Sequence, residues 1–174
     1  RRRPSPSRPD PQVKGRLAAL LLAAAVPAFA QKLPLERIQL PPGFSIELYA
    51  AVPNARSLAL GAQGTLFVGS RSGGAVHAVV PGGRVVKIAD NMSMPNGVAF
   101  RDGALYVAEV SRIWKFDEVE ARIDAIQKPR ILYDRLPGDR HHGWKFIRFG
   151  PDGRLYVPIG APCNVCDREG YALI

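Results

Sequence analysis

One motif recurs three times along the chain: an apolar strand, a tight turn containing glycine, and a second strand opening Leu-aromatic-Val. It occupies residues 57–68 (SLALGAQGTLFV), 97–107 (GVAFRDGALYV) and 146–157 (FIRFGPDGRLYV). Apolar side chains at alternate positions mark strands, and glycine supplies the positive φ that a two- or three-residue hairpin turn requires. The aligned glycines, Gly64, Gly103 and Gly153, lie 39 and 50 residues apart. That is the repeat length of four-stranded propeller blades, roughly 40–50 residues. Each hairpin is then half of a blade. Residues 75–80 and 85–89, joined by Pro81, Gly82 and Gly83, supply the outer strands of the first blade. The expected fold is all-β, a β-propeller. Only residues 116–126 (FDEVEARIDAI) have helical spacing, and they read as an insertion within the second blade.

Propellers close with about four to eight blades. Residues 31–174 hold about three of an expected six, and an open half-propeller would leave strand edges unpaired. The sequence therefore leads one to expect a protein that continues beyond Ile174. Residues 1–30 read as a signal peptide with a basic leader: Lys14 and Arg16 precede the Leu/Ala run 17–26, followed by Pro27 and the small-residue pattern Ala28-Phe29-Ala30. That apolar run falls short of the roughly 20 residues a membrane span needs, so no span is expected after cleavage. A periplasmic or secreted location follows.

The net charge of +9 raises the question of a nucleic-acid partner. Residues 1–30 carry six basic side chains against one acid and account for five of those charges. No basic stripe with interleaved aromatics appears in the remainder, so no nucleic-acid partner is expected.

The two cysteines, Cys163 and Cys166, stand as Cys-Asn-Val-Cys. The spacing suits a local disulfide, half of a metal site, or a thiol-exchange motif; an oxidising compartment favours the disulfide. Zinc would need two further ligands, and haem attachment would need His where Asp167 stands. No metal site is expected in these residues. His77 alternates with apolar residues in an outer strand and reads as a packing or surface residue. His141 and His142 lie just before the third inner strand, in a loop facing the mouth of the channel, where propellers bind ligands. A neutral imidazole there can act as a general base near pH 7. Asp134, Asp139 and Glu109 are candidates either for contacting a ligand's hydroxyls or for capping turns or pairing with Arg112, Arg135 and Arg140.

Residues 140–157 (RHHGWKFIRFGPDGRLYV), continued by 158–166 (PIGAPCNVC), resemble the corresponding segment of PQQ-dependent sugar dehydrogenases, most closely the L-sorbosone dehydrogenase-like branch. Residues 95–109 and 40–46 are similar to that branch as well, so the resemblance covers nearly all of residues 35–174. It implies oxidation of a sugar or sorbosone-type aldehyde or hemiacetal, with PQQ as hydride acceptor and Ca2+ as its metal partner. A cytochrome or membrane quinone would receive the electrons. In the soluble glucose dehydrogenases of the family the proton-accepting His stands eight residues before the Gly of Gly-Pro-Asp. Counting back from Gly150 gives His142 as the catalytic base, with His141 and Arg140 as substrate-contacting neighbours. His141 departs from the acidic residue of the glucose enzymes. The family's quinone-contacting residues and calcium ligands are expected beyond Ile174, and these 174 residues alone are expected to be inactive.

Two other functions compete. Residues 95–100 (PNGVAF) also resemble the strand where calcium-dependent gluconolactonase-like hydrolases place a metal-binding Asn, which would make Asn96 a ligand rather than a turn residue. A secreted, non-catalytic propeller binding protein or glycan through its loops is the other, since a fold does not dictate a function.

Overall fold

A computed structural model describes residues 33–125 and 127–174. The expected signal peptide, and Ile126 at the end of the predicted helix, lie outside the described residues. The chain divides into two units, residues 1–45 and 46–174. In the first, the described residues include a 3-10 turn, Leu35–Arg37, closed by the Ile38 N–H donating to the Leu35 carbonyl at 3.1 Å.

Among the described residues the sheets lie in the second unit. Strands β1 (Ala55–Leu60), β2 (Leu66–Ser70), β3 (Val76–Val79) and β4 (Val85–Ala89) form an antiparallel sheet in the order β1-β2-β3-β4. Strands β5 (Gly97–Arg101), β6 (Ala104–Ala108), β7 (Ile113–Phe116) and β8 (Arg130–Tyr133) repeat that arrangement. The short β9 (Arg148–Phe149) and β10 (Leu155–Tyr156) form a third hairpin. The first strands are neighbours, β1 against β5 and β5 against β9. Two meander sheets and a hairpin, succeeding one another through their first strands, are blades of a β-propeller. Gly64, Gly103 and Gly153 take φ values of +82°, +75° and +79° at the three repeated turns, where any side chain would strain the backbone.

Strand alternation explains how a blade is held on both faces. Val98, Leu105, Val107 and Phe116 of the second blade meet Phe67, Val76, Ala78 and Ile88 of the first. Ala99, Ala108 and Ile113, from the opposite face, meet Ile147 of the third. Each interface carries an aromatic pair: Phe67 stacks on Phe100 at 5.7 Å, and Tyr106 meets Phe149 edge-on at 4.9 Å. Such pairs add about 0.5–1.5 kcal/mol to the burial itself. β5 is buried between neighbours, whereas Leu58 and Leu60 of β1 remain 54% and 68% exposed. Backbones also come close between blades. A Cβ on Gly69 of β2 would lie 2.7 Å from the Pro95 carbonyl oxygen, so only glycine fits there.

The helix expected over residues 116–126 does not form. Phe116 ends β7, and residues 117–125 are a series of turns. Phe116, Val119 and Ile123 do face the core, which is why their spacing mimics a helix. The backbone is instead drawn onto its surroundings: the Val119 N–H donates to Gly103, Glu120 accepts from the Gln63 N–H at 3.0 Å, and Asp124 pairs with Arg84 at 2.5 Å. Among the described residues no helix is long and apolar enough to cross a membrane.

Candidate active site

The loop 139–145 leads into the third blade and carries the predicted residues. His142 is exposed and adopts φ +51°. A residue other than glycine in this left-handed region is strained by about 1–3 kcal/mol and persists only where its surroundings hold it. Three contacts do so. The His142 Nδ1 lies 3.0 Å from the carbonyl of Ala161. Gly160 packs against the His142 backbone so closely that a Cβ there would fall 2.5 Å from the His142 carbonyl oxygen and 2.9 Å from its Cβ. On the other side Gly143 is buried, with no room for a side chain beside the Asp139 carbonyl.

A carbonyl can only accept, so Nδ1 carries the proton of the neutral ring and Nε2 keeps its lone pair. The His141 ring lies against His142 at a tilt of 39°, centroids 4.0 Å apart. Arg140 is exposed and donates to the Ser93 hydroxyl at 3.2 Å. The structure thus places Arg140, His141 and His142 in one loop, with a single basic nitrogen of His142 available.

The following segment braces this loop. Cys163 and Cys166 are joined in a disulfide, their Cα atoms 5.5 Å apart, two residues beyond the carbonyl that His142 engages. Further along, the Tyr171 hydroxyl donates to Asp139 and Arg168 pairs with Asp139 at 3.6 Å; that carboxylate in turn pushes the Tyr171 pKa up. Asp139 therefore pairs with Arg168 and not with Arg140. Glu109 is buried and committed: it accepts from the Ser93 N–H at 2.5 Å and from the Trp114 indole at 2.8 Å, with Arg112 at 3.6 Å. It is a structural lock for the β6–β7 connection. His77 is buried as a packing residue in β3, and its Nδ1 has no hydrogen-bond partner. Burial, and then the Lys87 ammonium, hold its pKa below the ordinary value.

Asn96, read from the sequence as a turn residue, is fully buried and ties three blades together. Its Oδ1 accepts from Arg56 Nε at 3.2 Å, and its Nδ2 donates to the Lys145 carbonyl at 2.6 Å. With a guanidinium on its oxygen and a carbonyl on its nitrogen, it acts as a strut between the blades. Lys145 is not among the residues that the sequence singles out, yet its side chain is buried with Nζ donating to the carbonyls of Val110 at 2.5 Å and Gly143 at 2.8 Å. Desolvation lowers its pKa. The sequence does hold a signal: Gly143, Lys145 and Ile147 alternate with more exposed neighbours, so a lysine stands in phase with the buried face.

Among the described residues no three His, Cys, Asp or Glu side chains gather where they could hold a metal ion. Arg71 and Arg140 line one cavity of about 520 Å³. Arg56 and Arg71 both approach the Trp144 ring, 4.9 and 5.9 Å from its centroid. Guanidinium groups of this kind suit carboxylate ligands.

No family model matches the chain. It is 22% identical over 161 residues to an uncharacterized protein of Borreliella burgdorferi, covering 86% of this chain and 42% of that one. A similar solved structure is an oxidoreductase (glucose dehydrogenase) of Thermus thermophilus, with 23% identity, TM-score 0.49, and coverage of 61% of this chain and 37% of that one. Another is the PQQ-bound aldose sugar dehydrogenase of Streptomyces coelicolor, with 21% identity, TM-score 0.47, and coverage of 63% and 39%. A third is virginiamycin B lyase of Staphylococcus aureus, with 16% identity, TM-score 0.47, and coverage of 61% and 36%. The chain therefore spans well under half the length of each of these proteins.

Proposed function

We propose that the propeller to which these blades belong is a quinone-dependent sugar dehydrogenase of the sorbosone dehydrogenase-like kind, with His142 as its base. The observation that carries this reading is His142 itself. It sits on a strained backbone at the lead-in to an inner strand, its Nδ1 proton engaged by Ala161 and its Nε2 unengaged among the described residues. Oxidation of a hemiacetal or aldehyde hydrate removes a hydride from carbon and a proton from the adjoining hydroxyl. Nε2 accepts that proton, and the imidazolium is stabilised through Nδ1–H against the Ala161 carbonyl. His141 and Arg140 contact the sugar hydroxyls alongside. PQQ, when bound, supplies the acceptor for the hydride equivalent; among the described residues Arg71 is the side chain that would face its carboxylates. Ca2+ would be held by residues other than the described ones, and a cytochrome or membrane quinone would take the electrons onward. The signal-like residues 1–30 support a periplasmic or secreted location.

The test is dye-coupled oxidation by the whole polypeptide the gene encodes, with PQQ and Ca2+ supplied, comparing wild type with His142→Ala. Loss of turnover without loss of fold supports the reading. Full turnover by the variant contradicts it, and a folded protein with no turnover on any sugar points to the lactonase or binding-module alternatives.

A further inference from the structure

The buried ammonium of Lys145 has no place in the chemistry just described. Among the described residues it has no carboxylate partner, and its donors go to two main-chain carbonyls. An uncompensated buried charge is costly, so its surroundings must gain from its presence. One acceptor, Gly143, belongs to the residue that follows His142; the other, Val110, belongs to the connection between β6 and β7 in the second blade. The main chain of Lys145 is tied too, since its carbonyl accepts from Asn96, itself held by Arg56 of the first blade.

We infer that Lys145 is the positioning residue for His142: its Nζ fastens the Gly143 carbonyl to the second blade and so keeps the strained His142 peptide, and the imidazole it carries, in one orientation. The inference rests on the reading of His142 as the base. The strain gives the clamp its purpose. A left-handed histidine relaxes once the following peptide is free to rotate, and the Nδ1–Ala161 contact, which selects the tautomer, is then lost intermittently. Proton transfer tolerates little such freedom, because displacement of about 1 Å can cost 100-fold in rate.

Lys145→Met keeps the length and apolar stem of the side chain but removes the donors; Lys145→Gln keeps a donor on a shorter reach. Both are made in the whole polypeptide beside wild type and His142→Ala. Melting temperature, kcat and KM are measured with PQQ, Ca2+ and an oxidised sugar, together with the long-range 1H–15N spectrum of the histidine rings. Lys145→Met should melt cooperatively, lose about 10- to 100-fold in kcat with KM within about twofold, and show His142 averaging between tautomers. Lys145→Gln should fall between it and wild type. A kcat within about twofold of wild type in Lys145→Met, with His142→Ala inactive, overturns the inference alone; so does an unchanged His142 spectrum. Failure of both lysine variants to melt cooperatively overturns it as well, since Lys145 is then a folding residue. A fully active His142→Ala overturns the underlying reading instead.

Discussion

Asn96→Asp is the sharpest test of how the blades are joined, because electrostatics alone and local geometry make opposite predictions for it. The substitution keeps size and shape and places a carboxylate beside the Arg56 guanidinium, which now reaches Oδ1 at 3.2 Å; a charge tally scores that as a gain. The other end of the side chain decides the outcome. Nδ2 donates to the Lys145 carbonyl at 2.6 Å in a fully buried position, and in the variant an oxygen faces that carbonyl. A buried acceptor left without a donor costs about 1–3 kcal/mol. The repulsion between two oxygens and the burial of a carboxylate add to this, while Arg56, which is exposed, offsets only part. The net expectation is a loss of about 2–4 kcal/mol. Urea denaturation of the whole polypeptide at neutral pH would show it as a lower midpoint. A variant within about 0.5 kcal/mol of wild type would refute the strut. Calcium-dependent stabilisation of the variant but not of wild type would do so too, and would favour Asn96 as a metal ligand.

Other expectations concern the base and the core. Gly160→Ala forces a methyl group against the His142 backbone and should lower kcat about 10-fold or more while the blades stay folded, as near-ultraviolet circular dichroism would register; unchanged turnover would show that Gly160 does not brace the loop. His77 is buried neutral, with its pKa held below the ordinary value by burial and then by Lys87. The unfolded chain therefore takes up a proton more readily. The stability owed to neutral His77 is complete above about pH 6.5 and drains away as pH falls through the depressed folded value. His77→Leu should lose less stability than wild type between about pH 7.5 and 5, and parallel urea midpoints for the two proteins would contradict this.

Much of the fold is legible in the residues because a blade repeats its own instructions. The glycine at each hairpin turn, the Leu-aromatic-Val opening and the paired outer strands of the first blade all reappear as β1 to β10. Residues 116–126 depart from their helical spacing for a physical reason: Phe116, Val119 and Ile123 do share one side, but contacts distant in sequence, such as Glu120 to Gln63 and Asp124 to Arg84, draw the segment into turns. At the site, His142 and its neighbours are visible through a motif. Asn96 and Lys145 are not, since their partners lie 40, 49 and 35 residues away, and only the assembled blades bring a carboxamide and an ammonium to carbonyls that need donors. Asp139 can be recognised as a pairing residue, but its partner, Arg168, is chosen by the return of the chain after the disulfide.

The central claim is that His142 takes the sugar hydroxyl proton, and sugar-driven dye reduction by the whole polypeptide and its His142→Ala variant, with and without PQQ and Ca2+, tests it most directly. The account predicts turnover that requires PQQ and is lowered at least 100-fold in His142→Ala. Turnover that is independent of PQQ, or that survives the loss of His142, would contradict it.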